Sequence, residues 1–200
     1  MNKQNCFVIQ FLLILSLLQN IYAQEIKKQE LIEQLHTIGV VQFGSFTLKS
    51  GATSSYYIDM RRIISYPNVI HLITSHIWNI LQSLDYDNIC GVPYASLPIA
   101  SGVSLFYDVP MVMRRKEAKN YGTQKKIEGV FQSGQTCVII EDVITSGQSI
   151  METVVDLEEA GLNVKDVIVI VNRMQGGKEF LEKKGYQLHS IFNVSDITKS

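Results

Sequence analysis

The stretch CVIIEDVITSGQSI, Cys137–Ile150, carries a strand, a polar turn and the start of a helix. Its first residues are apolar without alternation, which is typical of a strand buried on both faces of a parallel sheet. Glu141 and Asp142 follow, and a hydroxyl-rich turn from Thr145 to Ser149 leads into the helix. Ligands of such sheets lie at the carboxyl ends of the strands, so this junction is the leading candidate for a site.

The junction has the chemistry of a ribose 5-phosphate site. Two adjacent carboxylates can accept hydrogen bonds from a pair of sugar hydroxyls, while backbone N–H groups and hydroxyls at a helix N-terminus suit a phosphate. Gly147 allows close approach of the backbone. The alternative is an ordinary strand-to-helix turn, in which the same hydroxyls cap the helix. Two common phosphate motifs, G-x-x-x-x-G-K-[ST] and G-x-G-x-x-G, are absent from the sequence.

Strands and helices alternate on both sides of this junction. Apolar residues spaced by three and four from Ile70 to Leu84 predict a long helix that begins at Pro67. The polar turn at 49–55 separates strand candidates at 46–48 and 56–60 and predicts a hairpin. The other predicted elements are helices at 25–37, 96–107 and 146–160, strands at 89–92, 111–113, 136–140 and 167–171, and a last short helix that ends at Gly185. The pattern predicts an α/β fold with a mostly parallel central sheet flanked by helices.

Composition narrows the classes of function. A chain of 200 residues, 46% hydrophobic and 18% charged, is a globular chain with one core. Its net charge of -1 argues against nucleic-acid binding and against a polybasic membrane surface. The cysteines Cys6, Cys90 and Cys137 are too few and too scattered for a disulfide framework or a zinc cluster, so structural thiols are expected.

Residues 1–24 differ in character from the rest and form a hydrophobic leader, which places the domain at 25–200. Lys3 precedes the apolar run from Phe7 to Leu18, and the small residue Ala23 follows it. This order is typical of a signal peptide cleaved after Ala23, and the run is short for a membrane span. An uncleaved anchor, a core helix and a misassigned start codon are the alternatives.

Five segments, in order and with matching spacing, resemble the orotate phosphoribosyltransferases. The junction at Cys137–Ile150 resembles the phosphoribosyl-diphosphate signature of type I phosphoribosyltransferases. The other four segments are Phe43–Arg61, Cys90–Ala100, Arg114–Thr123 and Val171–Lys178. The resemblance covers about residues 25–195 and is closest to the amino-terminal half of the bifunctional uridine monophosphate synthases. It implies the type I phosphoribosyltransferase fold with a small N-terminal hood, and the conversion of orotate and phosphoribosyl diphosphate to orotidine 5′-phosphate and diphosphate.

The resemblance also implies roles for individual residues. Lys119, Glu141 and Asp142 form the implied catalytic set, and replacing Lys119 by alanine is expected to lower turnover far more than stability. The implied substrate-binding residues are Lys49, Tyr57, Ile58, Tyr94, Ala95, Arg115, Lys116, Lys119, Tyr121, Glu141, Asp142, Val143, Ile144, Thr145, Ser146, Gly147, Gln148, Ser149 and Arg173. Without the resemblance, Lys49 and Arg173 would be read as surface charges and Tyr94 as a packing aromatic.

The implied cofactor is Mg²⁺, because the leaving group is a diphosphate. The ion is expected to be held mainly by substrate oxygens, with no direct protein ligand and with Asp142 acting through water as an option. The polar stretch from Lys116 to Gly134 is long for a connection and is predicted to be a mobile lid. In the family such a loop reaches across a homodimer to the neighbouring site, and its closure would exclude water.

Three residues depart from patterns of the family: Ala95 where bacterial enzymes usually carry lysine, Tyr121 where their loop has histidine, and Asn172 where aspartate commonly precedes the arginine. Two other functions stay open, a phosphoribosyltransferase for another base and a non-catalytic nucleotide sensor. Retention of Arg115, Lys116 and Lys119 favours catalysis. Because the substrates are cytosolic, the protein is expected in the cytoplasm. The alternative is a secretory or membrane-anchored protein, if residues 1–24 act as a signal peptide or an anchor. A separate orotidylate decarboxylase is a candidate partner.

Overall fold

The computed structural model describes residue 19 and residues 23–47, 53–117 and 125–198. Residues 23–37 form helix α1. The elements that follow are β1 (Val41–Thr47), β2 (Thr53–Ile58), a 3-10 helix (Met60–Ser65), α2 (Pro67–Leu81), β3 (Asn88–Gly91), α3 (Leu97–Tyr107), β4 (Met111–Arg114), β5 (Ile127–Glu128), β6 (Thr136–Ile144), α4 (Gln148–Glu159), β7 (Asn163–Asn172), α5 (Gly177–Lys183), β8 (Gln187–Asn193) and α6 (Val194–Thr198).

The central sheet has six strands in the order β5-β4-β3-β6-β7-β8. Neighbouring strands are parallel, except that β5 is antiparallel to β4. Alternate side chains of β6 enter two separate cores: Val138 and Ile140 pack with α1, α2 and α3, whereas Cys137 and Ile139 pack with α4 and α5. Helices therefore cover both faces, and the predicted α/β fold with a mostly parallel sheet is confirmed. The expectation of one core was wrong, because the sheet separates the buried apolar residues into two clusters.

Strands β1 and β2 form a separate two-stranded antiparallel sheet, in which Val41 pairs with Ile58. The predicted pairing is thus confirmed, but both strands begin earlier than expected, and residues 48–52, which include part of the predicted turn, lie outside the described residues. Met60, predicted at the end of the second strand, instead begins the 3-10 helix, where the Asp59 side chain accepts a hydrogen bond from the N–H of Arg61. Together with α1, this hairpin corresponds to the expected hood.

The sequence analysis missed β5, β8 and α6. Helix α5 ends at Lys183, and β8 and α6 follow it, so the expectation that the last element is the helix before Gly185 was wrong. The expectation of one uninterrupted loop from Lys116 to Gly134 was also wrong at its carboxyl end. Ile127 there is buried and pairs with Arg114 of β4, whereas residues 118–124 of that stretch lie outside the described residues.

Cys90 and Cys137 are buried free thiols on adjacent strands. Burial raises the pKa of Cys90 to about 11, so it is an uncharged core group at neutral pH, in line with the expected structural role. Cys6 and most of the leader lie outside the described residues. Among the helices in the described ranges, none combines the length and the apolar character needed to cross a membrane.

Candidate functional site

Four parallel strands end side by side at one edge of the central sheet. Gly91 of β3 pairs with Met113 of β4 and with Ile140 of β6, and Ile144 of β6 pairs with Asn172 of β7. The segments that follow these strands carry most of the predicted site residues. This is the position at which ligands bind in such sheets.

The two acids lie within β6, because the strand continues four residues beyond its predicted end, to Ile144. Glu141 is only 6% exposed, and its Oε1 accepts hydrogen bonds from Ser96 Oγ at 2.9 Å and from the N–H of Asp142 at 3.0 Å. Burial raises the pKa of Glu141 well above its ordinary value of 4.5, and the hydrogen bond and charge of the Asp142 side chain raise it further. Glu141 therefore holds its proton more strongly than an exposed carboxyl group does.

A small cavity of about 60 Å³ lies at the start of α4. The residues that line it are Glu141, Val143, Ile144, Thr145, Ser146, Gly147, Ser149 and Ile150. The helix is preceded by Gly147 in the left-handed region (φ 82°), and no side chain makes a capping hydrogen bond there. The turn therefore does not form an ordinary Ser/Thr cap, which was the alternative interpretation. The first N–H groups of α4 stay available to an anion.

Gly177, at the start of α5, lies against the back of this turn. A methyl group on residue 177 would lie 2.5 Å from the carbonyl oxygen of Thr145 and 2.7 Å from Cγ1 of Ile144. Because residue 177 has no side chain, the Thr145 peptide can pack directly against the start of α5. Gly177 had no assigned role in the sequence analysis, although it lies within the Val171–Lys178 segment.

Gly177→Ala is expected to push the turn toward the cavity, to destabilise the protein by about 1–3 kcal/mol and to weaken binding of the 5-phosphate. The matched control is Gly176→Ala, since nothing lies within 4 Å of a methyl group there, although φ is +88°. The control should lose stability from backbone strain alone, about 1–2 kcal/mol. Calorimetric titration with ribose 5-phosphate and thermal melts of both variants check this, and equal affinities in the two variants would contradict it.

Arg173 follows β7 and lies beside the turn, with its N–H donating to the carbonyl oxygen of Ile144 at 3.1 Å. Its guanidinium carbon lies 5.4 Å from the centre of the Tyr56 ring. Its Nε and Nη2 atoms are buried without a hydrogen-bond partner. Buried polar groups are normally paired, so these donors suit an anionic ligand. Asn172 does not orient the guanidinium directly, since its Oδ1 accepts from the N–H of Met174 at 2.9 Å.

Tyr56 contacts Arg173, whereas the predicted binding residue Tyr57 faces elsewhere. The Tyr57 ring packs at 5.6 Å from Phe46, and its hydroxyl accepts from Nη2 of Arg61 at 3.3 Å. Successive side chains of a strand point to opposite faces, which explains why only one of the two tyrosines reaches the guanidinium. Ile58 is half-buried and packs against the core.

A group of cations borders the site at the end of β4. Nη1 of Arg115 lies 3.0 Å from Oε1 of Glu128, and Nζ of Lys116 lies 5.6 Å from the centre of the Tyr94 ring. Tyr94 is 67% exposed and follows a cis Pro93–Tyr94 peptide bond. A cavity of about 330 Å³ opens here, lined by Tyr94, Leu97, Met113, Arg114, Arg115, Lys116 and Glu117.

The structure thus brings together the predicted residues from 141 to 149 with Arg173, and places Tyr94, Ala95, Arg115 and Lys116 at strand ends on the same edge of the sheet. Lys49, Lys119 and Tyr121 lie outside the described residues. Ser96 and Tyr56 are site residues that the sequence analysis missed. Within the described part of the chain, no group of three or more His, Cys, Asp or Glu side chains could by itself hold a metal ion.

Comparisons of this chain with protein families, known proteins and solved structures all find phosphoribosyltransferases. The phosphoribosyl transferase domain family matches residues 61–194. The orotate phosphoribosyltransferase of Chlamydia felis is 41% identical over 181 residues, 90% of this chain and 88% of that protein. The uridine 5′-monophosphate synthase of Bos taurus is 42% identical over 84% of this chain, which spans only 35% of that longer protein. The crystal structure of Mycobacterium tuberculosis orotate phosphoribosyltransferase with Fe(III) dicitrate aligns with a TM-score of 0.76 and 28% identity, over 86% of this chain and 99% of that one.

Proposed function

The chain belongs to the orotate phosphoribosyltransferase family, and on that basis we propose that it transfers the 5-phosphoribosyl group of phosphoribosyl diphosphate to orotate. The products are orotidine 5′-phosphate and diphosphate, so the reaction is a step of UMP biosynthesis. The observation that supports this assignment at the present site is the Arg173 guanidinium, whose buried unpaired donors lie beside an uncapped helix N-terminus and the acid pair of buried Glu141 and half-buried Asp142.

Each part of the site has a matching part of the substrates. Glu141 and Asp142 accept hydrogen bonds from the ribose hydroxyls, and the turn Thr145–Ser149 with the start of α4 binds the 5-phosphate. Arg173 binds the planar orotate anion through its carboxylate, for which the fork of a guanidinium is suited. Lys116, Arg115 and Lys119 neutralise the diphosphate, and Tyr94 with Ala95 lies against it.

We further propose Mg²⁺ as the cofactor. Bound to diphosphate and ribose oxygens, it would stabilise the negative charge of the leaving group. The half-buried Asp142 offers an oxygen suited to the ion through water, and the acid pair contributes two carboxyl groups at most, so most ligands come from the substrate. A homodimer, a cytoplasmic location and an orotidylate decarboxylase that consumes the product complete the proposal.

Transfer to another base is the second candidate, and the unpaired Arg173 donors speak against it because a neutral purine offers no carboxylate. A nucleotide sensor would need the acid pair and the turn Thr145–Ser149 to bind its ligand, but it would not need the cations at the end of β4. Arg115 and Lys116 both lie at the border of the site, which favours catalysis.

The direct test is loss of orotate absorbance when the purified protein is mixed with orotate, phosphoribosyl diphosphate and Mg²⁺. We expect loss with the metal and none with a chelator. Adenine in place of orotate is the control for base specificity and should give no product. A folded protein that binds phosphoribosyl diphosphate but leaves orotate unchanged would direct attention to another base or to a sensor.

A further inference from the structure

A second buried carboxylate lies outside the acid pair, on α4. Asp156 is 6% exposed, and its two oxygens are each paired with a cation. Oδ2 accepts from Nε of Arg114 at 2.6 Å, and Oδ1 accepts from Nζ of Lys126. Lys126 also lies 3.7 Å from Oε2 of the more exposed Glu159. Burial alone would raise the pKa of Asp156, but the hydrogen bonds and charges of Lys126 and Arg114 outweigh it and lower the pKa.

The two cations are the two ends of one connection. Arg114 is the last residue of β4, and Lys126 immediately precedes β5. The N–H of Arg115 donates to the carbonyl oxygen of Lys126 at 2.8 Å, and Arg114 pairs with Ile127. Asp156 therefore ties both ends of this connection to α4 through a single side chain.

The same helix begins at the phosphate turn. Gln148 and Asp156 are separated by about 12 Å along α4, at 1.5 Å per residue. A cavity of about 390 Å³ lies between the helix and the connection, lined by Arg114, Lys116, Lys126, Gln148, Met151, Glu152, Val155 and Asp156. Lys116 is the second residue after Arg114, so its position over the Tyr94 ring depends on where Arg114 is held.

We propose that Asp156 is a positioning residue for phosphoribosyl diphosphate, which sets Arg115 and Lys116 at a fixed distance from the turn that binds the 5-phosphate. The inference rests on the proposed function. A buried ion pair contributes little net stability compared with apolar side chains of the same volume, so stability is a weak reason for a carboxylate at this place. The carboxylate has a geometric role instead, because its two charge-assisted hydrogen bonds have defined directions and fix the positions of Arg114 and Lys126.

Asp156→Asn keeps the volume of the side chain and removes its charge. We expect the KM for phosphoribosyl diphosphate to rise about tenfold, which corresponds to about 1.4 kcal/mol, with the KM for orotate within twofold of the wild type. Lys126→Met removes one of the two ties at a side chain that is 46% exposed, and should give a smaller rise in the same constant. The control is Glu159→Gln, which removes the outer carboxylate near Lys126 and should leave both constants unchanged.

All variants are assayed well below their melting temperatures, because a purely structural role would lower the melting temperature without separating the two KM values. An unchanged KM for phosphoribosyl diphosphate in folded Asp156→Asn, or an equal rise for both substrates, would overturn the proposal. If Asp156→Asn does not fold, Lys126→Met carries the same comparison.

Calorimetric titration of phosphoribosyl diphosphate with Mg²⁺ separates this proposal from the function on which it rests. If the wild type binds this ligand but does not consume orotate, the orotate assignment fails. A larger dissociation constant in Asp156→Asn would then still support the positioning role. If the wild type does not bind it, both are overturned.

Discussion

Glu141→Gln is expected to lower kcat/KM for phosphoribosyl diphosphate roughly a hundredfold and, above neutral pH, to raise the melting temperature. Glutamine can keep the hydrogen bonds that Glu141 accepts from Ser96 and from the N–H of Asp142. It cannot supply the negative charge that strengthens hydrogen bonds from the ribose hydroxyls. A hydrogen bond to a charged group contributes about 1.5 kcal/mol or more, so weakening two of them accounts for a change of this size.

The gain in stability follows from the direction in which the pKa of Glu141 moves on folding. Because that pKa is raised in the folded protein, the folded state binds more protons than the unfolded state above pH 4.5. The wild type therefore loses stability as the pH rises from that value through the raised pKa. The loss is about 1.4 kcal/mol for each pH unit over which the folded state holds one proton more than the unfolded state. Glutamine has no such titration, so the advantage of the variant should grow over the same range.

Melting curves of both proteins from pH 4.5 to 8.5, with kinetics at pH 8, check both halves of this prediction. Glu179→Gln makes the same chemical change on the exposed face of α5 and should alter neither activity nor the pH profile of stability. A constant difference in melting temperature across the range would show that Glu141 does not titrate differently in the folded protein.

The fold could be predicted because its main signals are local. Strands apolar on both faces and the three-and-four spacing of α2 do not depend on distant residues. The elements that were missed lack such signals. Strand β5 has two residues, and in β8 the half-buried His189 and the exposed Ser190 separate the buried Leu188 from Ile191 and Phe192, so it gives no continuous apolar run.

The site was predictable only in part, for the same reason. The acids, the glycine turn and the cations form contiguous motifs, whereas the partners that position them lie far away in sequence. Ser96 is 45 residues from Glu141, and Arg114 is 42 residues from Asp156. Nothing in the sequence pattern joins Tyr56 to Arg173. These pairs arise only in the folded chain, which brings the end of β3 to β6, the end of β4 to α4, and β2 to the end of β7.

Arg173→Met is expected to lower kcat/KM for orotate roughly a hundredfold and to leave the KM for phosphoribosyl diphosphate nearly unchanged. A bidentate pair between a guanidinium and a carboxylate consists of two charge-assisted hydrogen bonds, each worth about 1.5–3 kcal/mol. The variant should fold as well as the wild type or better, since it removes buried Nε and Nη2 donors that have no partner in the free protein.

Arg173→Lys tests geometry against charge, because an ammonium keeps the charge and loses the planar fork, and its activity should lie between the other two. The control, Lys178→Met, removes an exposed cation of the same segment, paired with Glu182 at 3.7 Å, and should leave both KM values unchanged. Steady-state kinetics with each substrate varied in turn give the decisive comparison. An equal rise in the KM for phosphoribosyl diphosphate and in the KM for orotate would mean that Arg173 also binds the diphosphate. Loss of a contact to the base alone would raise only the KM for orotate.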